Sequence, residues 1–447
     1  MIIEYTGAQK LKGSLLFFDP IEGVRYGEKV IVRSGEKQQN GKVVGLSESV
    51  MLIEILGEPF GLDIDGLKVH FTGSVFELGV SEAMLGRVMN AFGEPTDGAG
   101  DIPAQKRLSI GGAAYNPVRR TYPDAVAHTG ISAIDGLNTM VKGQKLPLFS
   151  VAGADTNTLA AQLVRQIRPS KTKGAVVFAA MGIKFEDAEY LVRSISGGGR
   201  FDATAVFMNL ADEPSINTLL LARSALTFAE YLAFEKGYDV VTVLYDMTNY
   251  CDALREVSSR REEIPSRKGY PGYMYSDLAS LYERAGLLRG KQGSLTQLPI
   301  LTMPDGDITH PIPDLTGYIT EGQVVLEREL QQRGVYPPIN VLPSLSRLMN
   351  HAVSAQQRRW SAELYAAYAK AKKAQMLAAI IGEGEMGETE RDYLRFGEAF
   401  EQRFIAQDRD EDRTMEQTVA LGWELLKMLP PHTLTRLTSG DISEHLS

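Results

Sequence analysis

Residues 146–168 read LPLFSVAGADTNTLAAQLVRQIR: an apolar stretch, a loop of small residues, then a helical stretch. That is the order in which a phosphate-binding loop is built, with backbone N–H groups and a helix N-terminus turned toward anionic oxygens. The P-loop pattern itself, two glycines five apart followed by Lys and Ser/Thr, is absent from the whole chain. Asn157 stands where the lysine belongs, Thr158 follows correctly, and Thr156 replaces the second glycine. Asp155 adds a negative charge where a polyphosphate would approach, and a neutral amide cannot replace the lysine's charge. Alone, the segment reads equally as an ordinary strand–helix loop.

Two further segments give it weight. Residues 239–246, DVVTVLYD, read as a buried strand ending in Asp246, the position that holds the Mg²⁺ shell in nucleotide sites of this build. Many parallel strands also end in Asp as a helix cap. Residues 178–189, FAAMGIKFEDAE, read as another strand end opening a helix. A hydrolytic site would want a glutamate after Gly182 to polarise the attacking water, but Ile183 is there, and an apolar side chain can neither orient water nor act as a base. Glu186, Asp187 and Glu189 suit the acidic first turn of the following helix. Gly153, Asn157, Thr158 and Asp246 thus form a degenerate nucleotide site with weak affinity or none.

The surrounding pattern is strands alternating with helices. Residues 175–180, 205–210, 240–245 and 297–302 are nearly continuous apolar runs, as in strands covered on both faces. Helical segments fall at 157–168, 186–195 and 216–235, implying an α/β core: a parallel, doubly wound sheet over residues 73–348. Residues 1–72 carry short β-branched runs at 29–33, 42–46, 50–56 and 67–71, with Asn40-Gly41 as a turn signal, and predict a small β-barrel. Residues 349–447 lose the strands; helices are expected at 355–381, 392–405 and 414–428.

Composition narrows the function. The chain has 447 residues with 47 basic and 56 acidic side chains, net −9, which disfavours a general nucleic-acid binder. Its longest apolar run, 174–183, is half of what a bilayer span needs (about 20 residues), and no secretory leader is read at the N-terminus. The single Cys251 excludes an internal disulfide framework and is expected to be buried. The histidines show no metal-ligand spacing. The GEGEMG run at 382–387 matches a dinucleotide fingerprint only formally: it follows a helix, and its glutamates would repel a pyrophosphate. Arg260, Arg261, Arg267 and Lys268 form a basic patch, read also as a solvated helix face. Arg347 in PSLSRL lies where the α/β region meets the helices.

The runs LGRVMNAFGEPTDGAG (85–100), YDMTNYCDALREVS (245–258), IPSRKGYPGYMYSDLASLYERAG (264–286), GSLTQLPILTMPDGDITHPIPDLTGYITEGQ (293–323) and NVLPSLSRL (340–348) resemble the B subunit of V/A-type rotary ATPases, over almost the full chain. The resemblance implies a β-barrel, a RecA-like P-loop NTPase-type domain and a helical bundle. It implies a non-catalytic, regulatory subunit alternating with three catalytic A chains in a hexamer, attached to central-stalk D/F-type and peripheral-stalk E/G-type subunits. Such a complex couples ATP hydrolysis or synthesis to H⁺ or Na⁺ transport at the cytoplasmic face of the membrane, with no span in this chain. ATP/ADP and Mg²⁺ would lie at the A/B interface, held mainly by A. Arg347 would be the arginine finger reaching that site in trans, and Arg261 a second interface arginine. The sequence departs from the family at Val151-Ala152-Gly153-Ala154-Asp155, where relatives carry Gly-Ser-Gly-Leu-Pro, and in a shorter segment after Arg347. An active RecA-type motor, the competing reading, would require a lysine at 157 and a glutamate at 183.

Overall fold

The computed structural model describes residues 3–57, 62–112, 115–169 and 173–446. Seven strands open the chain: β1 (Ile3–Thr6), β2 (Lys10–Lys12), β3 (Leu15–Phe18), β4 (Glu28–Ser34), β5 (Lys37–Leu46), β6 (Met51–Ile55) and β7 (Lys68–Val75). They pair antiparallel in the order β1-β7-β4-β5-β6-β3-β2, a half-barrel, around a core of their own that includes Leu16, Val30, Val32, Val43, Ile53 and Val69. Along β4 the buried residues alternate with the less buried ones, the period-two pattern of a sheet with one face inward. The last of these strands runs on to Val75, past residue 72.

One turn lies elsewhere than the sequence suggests. Asn40 and Gly41 sit inside β5, opposite Ile31 and Val30, and the β4–β5 hairpin closes at Gly35-Glu36 between the paired Ser34 and Lys37. Gly35 has φ +59°, which supplies the left-handed conformation of a two-residue hairpin. Gly41 serves packing instead: a Cβ there would lie 2.8 Å from Val30 Cγ2.

The central sheet has ten strands. Its main path joins β8 (Val88–Met89), β9 (Leu148–Val151), β10 (Gly174–Ile183), β11 (Thr204–Leu210), β12 (Asp239–Tyr245), β13 (Ser294–Met303), β14 (Gly322–Leu326) and β15 (Ile339–Ser346) in the order β15-β14-β9-β13-β12-β10-β11-β8. Every pair on this path is parallel except the edge pair β14/β15. Helices α1 (Thr156–Gln166), α2 (Phe185–Ser196), α3 (Ser215–Glu230) and α4 (Met247–Arg260) cover it. In β10, Val176, Phe178 and Ala180 enter the core on one face and Ala175, Val177 and Ala179 the core on the other, which is why that strand reads as an unbroken apolar run.

Three helices dominate the C-terminal part: α5 (Ala355–Ile381), α6 (Glu388–Ala399) and α7 (Met415–Leu426). Ser354 caps α5 and Thr414 forms a capping box with Gln417 on α7. Gly382, at φ +84°, ends α5 and opens the exposed inter-helix loop that formally matched the dinucleotide fingerprint. Trp360, Tyr368, Phe396, Phe400 and Phe404 join the same core as Leu159, Leu163 and Phe178, so the helices and one sheet face are packed as a unit.

Candidate functional site

The loop after β9 has the right place and the wrong chemistry for a polyphosphate. Gly153 has φ +85° with open space where a Cβ would stand, so the backbone turn of a phosphate loop is retained. The side chains that should receive the anion are already engaged. Asn157 Nδ2 donates to Asp187 Oδ1 at 2.7 Å, while Tyr245 Oη donates to Asn157 Oδ1. The Thr158 and Tyr190 hydroxyls are 3.0 Å apart. From the other side Arg328 Nη2 donates to the Ala152 carbonyl at 2.7 Å, Gln331 Nε2 to the Gly153 carbonyl at 3.0 Å, and Arg409 pairs with Asp155 at 2.9 Å. Burial, and then the Asp246, Asp187 and Asp155 carboxylates, push the Tyr245 phenol far above its ordinary range. The residues present do not fit a tightly held nucleotide.

Asp246 and Ile183 complete that picture. Asp246 is buried and caps α4: Oδ1 accepts the Thr248 N–H at 2.7 Å, and Oδ2 accepts the Thr302 hydroxyl at 2.7 Å. Burial raises this carboxyl, against those hydrogen bonds, which lower it. Ile183 ends β10 with 5% of its surface exposed, and its carbonyl accepts the Ala211 N–H at 2.9 Å. Glu186 and Asp187 sit in the first turn of α2, as the sequence indicates. Cys251 is fully buried on α4, and burial pushes its thiol well above the usual range.

The two arginines are placed differently. Arg347 is exposed, directly after β15, and its guanidinium has no hydrogen bond or ion pair among the described residues. Its backbone N–H donates to the Glu321 carbonyl at 3.0 Å, and the preceding Ser346 is buried and pairs with Gly322 at the start of β14. β14 runs parallel to β9, so Arg347 leaves the sheet at the end where those strands begin, and the loop of residues 151–155 leaves at the end where they finish. At about 3.3 Å per residue the two are roughly 20 Å apart along the strands. Arg261, by contrast, is held within its own chain: Nη2 pairs with Glu54 Oε2 of the barrel at 2.6 Å. Arg260 pairs with Glu256, and Arg267 with Asp314 at 3.7 Å, so the basic patch is laced with acidic partners.

Several residues that shape the site escape a sequence reading. Gln144, Glu321 and Ser346 fix the backbone before Arg347, while Tyr245, Arg328, Gln331 and Arg409 strap the loop. Tyr245 and Ser346 had a local signal, as the residues beside Asp246 and Arg347; others act across separations such as the 176 residues from Arg328 to Ala152.

Among the described residues, no helix is long and apolar enough to cross a membrane. Residues 130–346 match the nucleotide-binding domain of the ATP synthase alpha/beta family, and residues 348–446 match the C-terminal domain of V and A type ATP synthase. The chain is 49% identical, over 450 residues, to the V-type ATP synthase beta chain of Halothermothrix orenii, covering 99% of this chain and 97% of that one. It superposes with a TM-score of 0.76 on the ATP synthase subunit NeqB from Nanoarcheaum equitans, at 38% identity, covering 93% of this chain and all of the other. The half-barrel, doubly wound sheet and helical bundle, the degraded loop and these likenesses converge: the chain belongs to the ATP synthase alpha/beta family, as a beta chain of the V/A type.

Proposed function

We propose that this subunit is non-catalytic and completes the active sites of neighbouring catalytic A subunits, with Arg347 as an arginine finger in trans. One observation carries the reading. The exposed guanidinium, without a partner among the described residues, sits at the sheet end away from the chain's own loop, and that loop is already tied down by contacts from within the chain. A guanidinium offers a fixed charge and a planar fork of donors to phosphoryl oxygens, an effect worth about 10³–10⁵ in rate where fingers act. Arg261, paired with Glu54, takes the lesser role of tying barrel to core at the subunit interface.

The assembly we infer is an alternating ring of three B and three A chains around central-stalk D/F-type subunits, braced by peripheral-stalk E/G-type subunits. ATP/ADP and Mg²⁺ are held mainly by A at the A/B interface. The complex couples hydrolysis or synthesis of ATP to H⁺ or Na⁺ transport at the cytoplasmic face of the cell membrane, other chains forming the membrane sector. Within the subunit we divide the chain into barrel, RecA-like and helical domains at 1–72, 73–348 and 349–447. The alternative, a self-sufficient motor ATPase, finds no cation at Asn157 and no base at Ile183.

The test is steady-state ATP hydrolysis by the purified chain, alone and then mixed with the A subunit of its organism. Silence alone and turnover on mixing, lost with Arg347→Ala while assembly persists, is the expected result. Robust turnover by the chain alone would overturn the assignment.

A further inference from the structure

A second cleft lies between the half-barrel and the central sheet, well away from the strapped loop. Its volume is about 430 Å³, within the range of small-molecule sites. One wall is apolar, built from Phe76, Ile216, Leu219, Leu220 and Leu254. Three cations from three elements also line it: Lys42 of β5, Arg223 of α3, and Arg261 just after α4.

Three carboxylates, Asp277, Glu54 and Glu263, match the three cations in number, but each is already engaged by another group. Asp277 takes Arg223 on Oδ1 and the Tyr250 hydroxyl on Oδ2, both at 2.6 Å. Glu54, which lies opposite Lys42 across the β5/β6 ladder, is buried and takes Arg261 at 2.6 Å. Glu263 accepts the Tyr273 hydroxyl at 2.8 Å. Lys42 alone is left: among the described residues its ammonium has neither hydrogen bond nor ion pair, although it lines the cleft and is only partly exposed. Its ammonium is held below the usual lysine range by burial first and then by Arg223 and Arg261, with Glu54 and Asp277 opposing them. The three donors of this half-buried ammonium are thus left open to a further acceptor.

We propose that this cleft is a binding site for a small oxyanion on an apolar body, a carboxylate or phosphate monoester, with Lys42 holding the anion and the Phe76–Leu254 wall holding the body. Nothing in this inference depends on Arg347 or on the role of the degraded loop. It adds a ligand site where the barrel meets the core, one that shares Arg261 with the proposed subunit interface.

Titration calorimetry of the full chain tests it with three probes: 4-phenylbutyrate, phenyl phosphate and the neutral 4-phenylbutanol. At least one of the two anions is expected to bind at about millimolar Kd or tighter, and the alcohol about tenfold or more weaker. Whichever anion binds better identifies the headgroup. Lys42→Met should weaken the anion by about tenfold and leave the alcohol unchanged, while Lys42→Arg should stay within about threefold of the parent. Circular dichroism melts establish that the variants are folded; if Lys42→Met is not, the acid-to-alcohol comparison on the unaltered chain decides. Equal binding of acid and alcohol, no binding of either anion, or an unchanged affinity in a folded Lys42→Met would each overturn the proposal.

Discussion

Gln144 and Ser346, 202 residues apart, meet beneath Arg347: Gln144 Nε2 lies 3.0 Å from Ser346 Oγ. The same Nε2 donates to the Glu321 carbonyl at 3.0 Å, which also accepts the Arg347 backbone N–H at 3.0 Å. Ser346 Oγ donates to the Thr139 carbonyl at 2.8 Å, and Gln144 and Ser346 are both buried. Among the described residues the arginine is therefore unpartnered in its side chain and fixed at its root. Gln144→Leu keeps the volume but removes the donor. In the assembled complex it should lower kcat about tenfold with little change in KM, since misplacing a transition-state group by a fraction of an ångström costs rate more than binding. A parent-like kcat would show that Gln144 does not position the finger.

Arg347→Lys tests geometry separately from charge. Lysine keeps the positive charge but loses the planar fork, so most of the finger's effect should be lost, about 10²-fold or more in turnover. Steady-state hydrolysis by the mixed complex reads this directly. Turnover close to the parent would mean that charge alone suffices and that bidentate contact is unnecessary.

Asn157→Lys should not make the isolated chain an ATPase. The new ammonium would arise beside Asp187, which now accepts the Asn157 amide at 2.7 Å, and Ile183 still offers nothing to activate water. Released phosphate should remain at background. A measurable rate would mean that the loop works by chemistry other than that of a P-loop.

The helical bundle has its own point of vulnerability in Glu401. Its fully buried carboxylate accepts the Tyr368 hydroxyl and Lys372 Nζ, each at 2.8 Å, and pairs with Arg333 as well. Glu401→Ala leaves these groups without their shared acceptor and opens a cavity, and should cost about 3 kcal/mol. Thermal unfolding followed by circular dichroism should show a clear drop in midpoint. An unchanged midpoint would mean that Arg333 and Lys372, both partly exposed, recover the loss by turning to water.

Much of the fold was legible because strand burial and helix periodicity are local properties. The apolar β10 and the largely apolar α3 announce themselves in any window of a dozen residues, and the alternation of strand and helix follows from them. Asn40-Gly41 misled for an instructive reason. The dipeptide is a strong turn former, but Gly41 is there because Val30 leaves no room for a Cβ, and Gly35 makes the turn instead. The expectation of a degenerate site rests on two deficits, Asn157 and Ile183, since a missing charge or base is visible in one residue. What fills those deficits was not, because Arg409 against Asp155 and Gln331 against Gly153 are contacts that only the folded chain creates.

The separation of Arg347 from the chain's own loop gives the molecule a direction. Under the role proposed for Arg347, a protein that offers it at one end and a blocked loop at the other serves its partners head to tail rather than through a twofold axis. Around the ring inferred above, every second junction would then be productive and the remainder silent, left to carry load between the working sites.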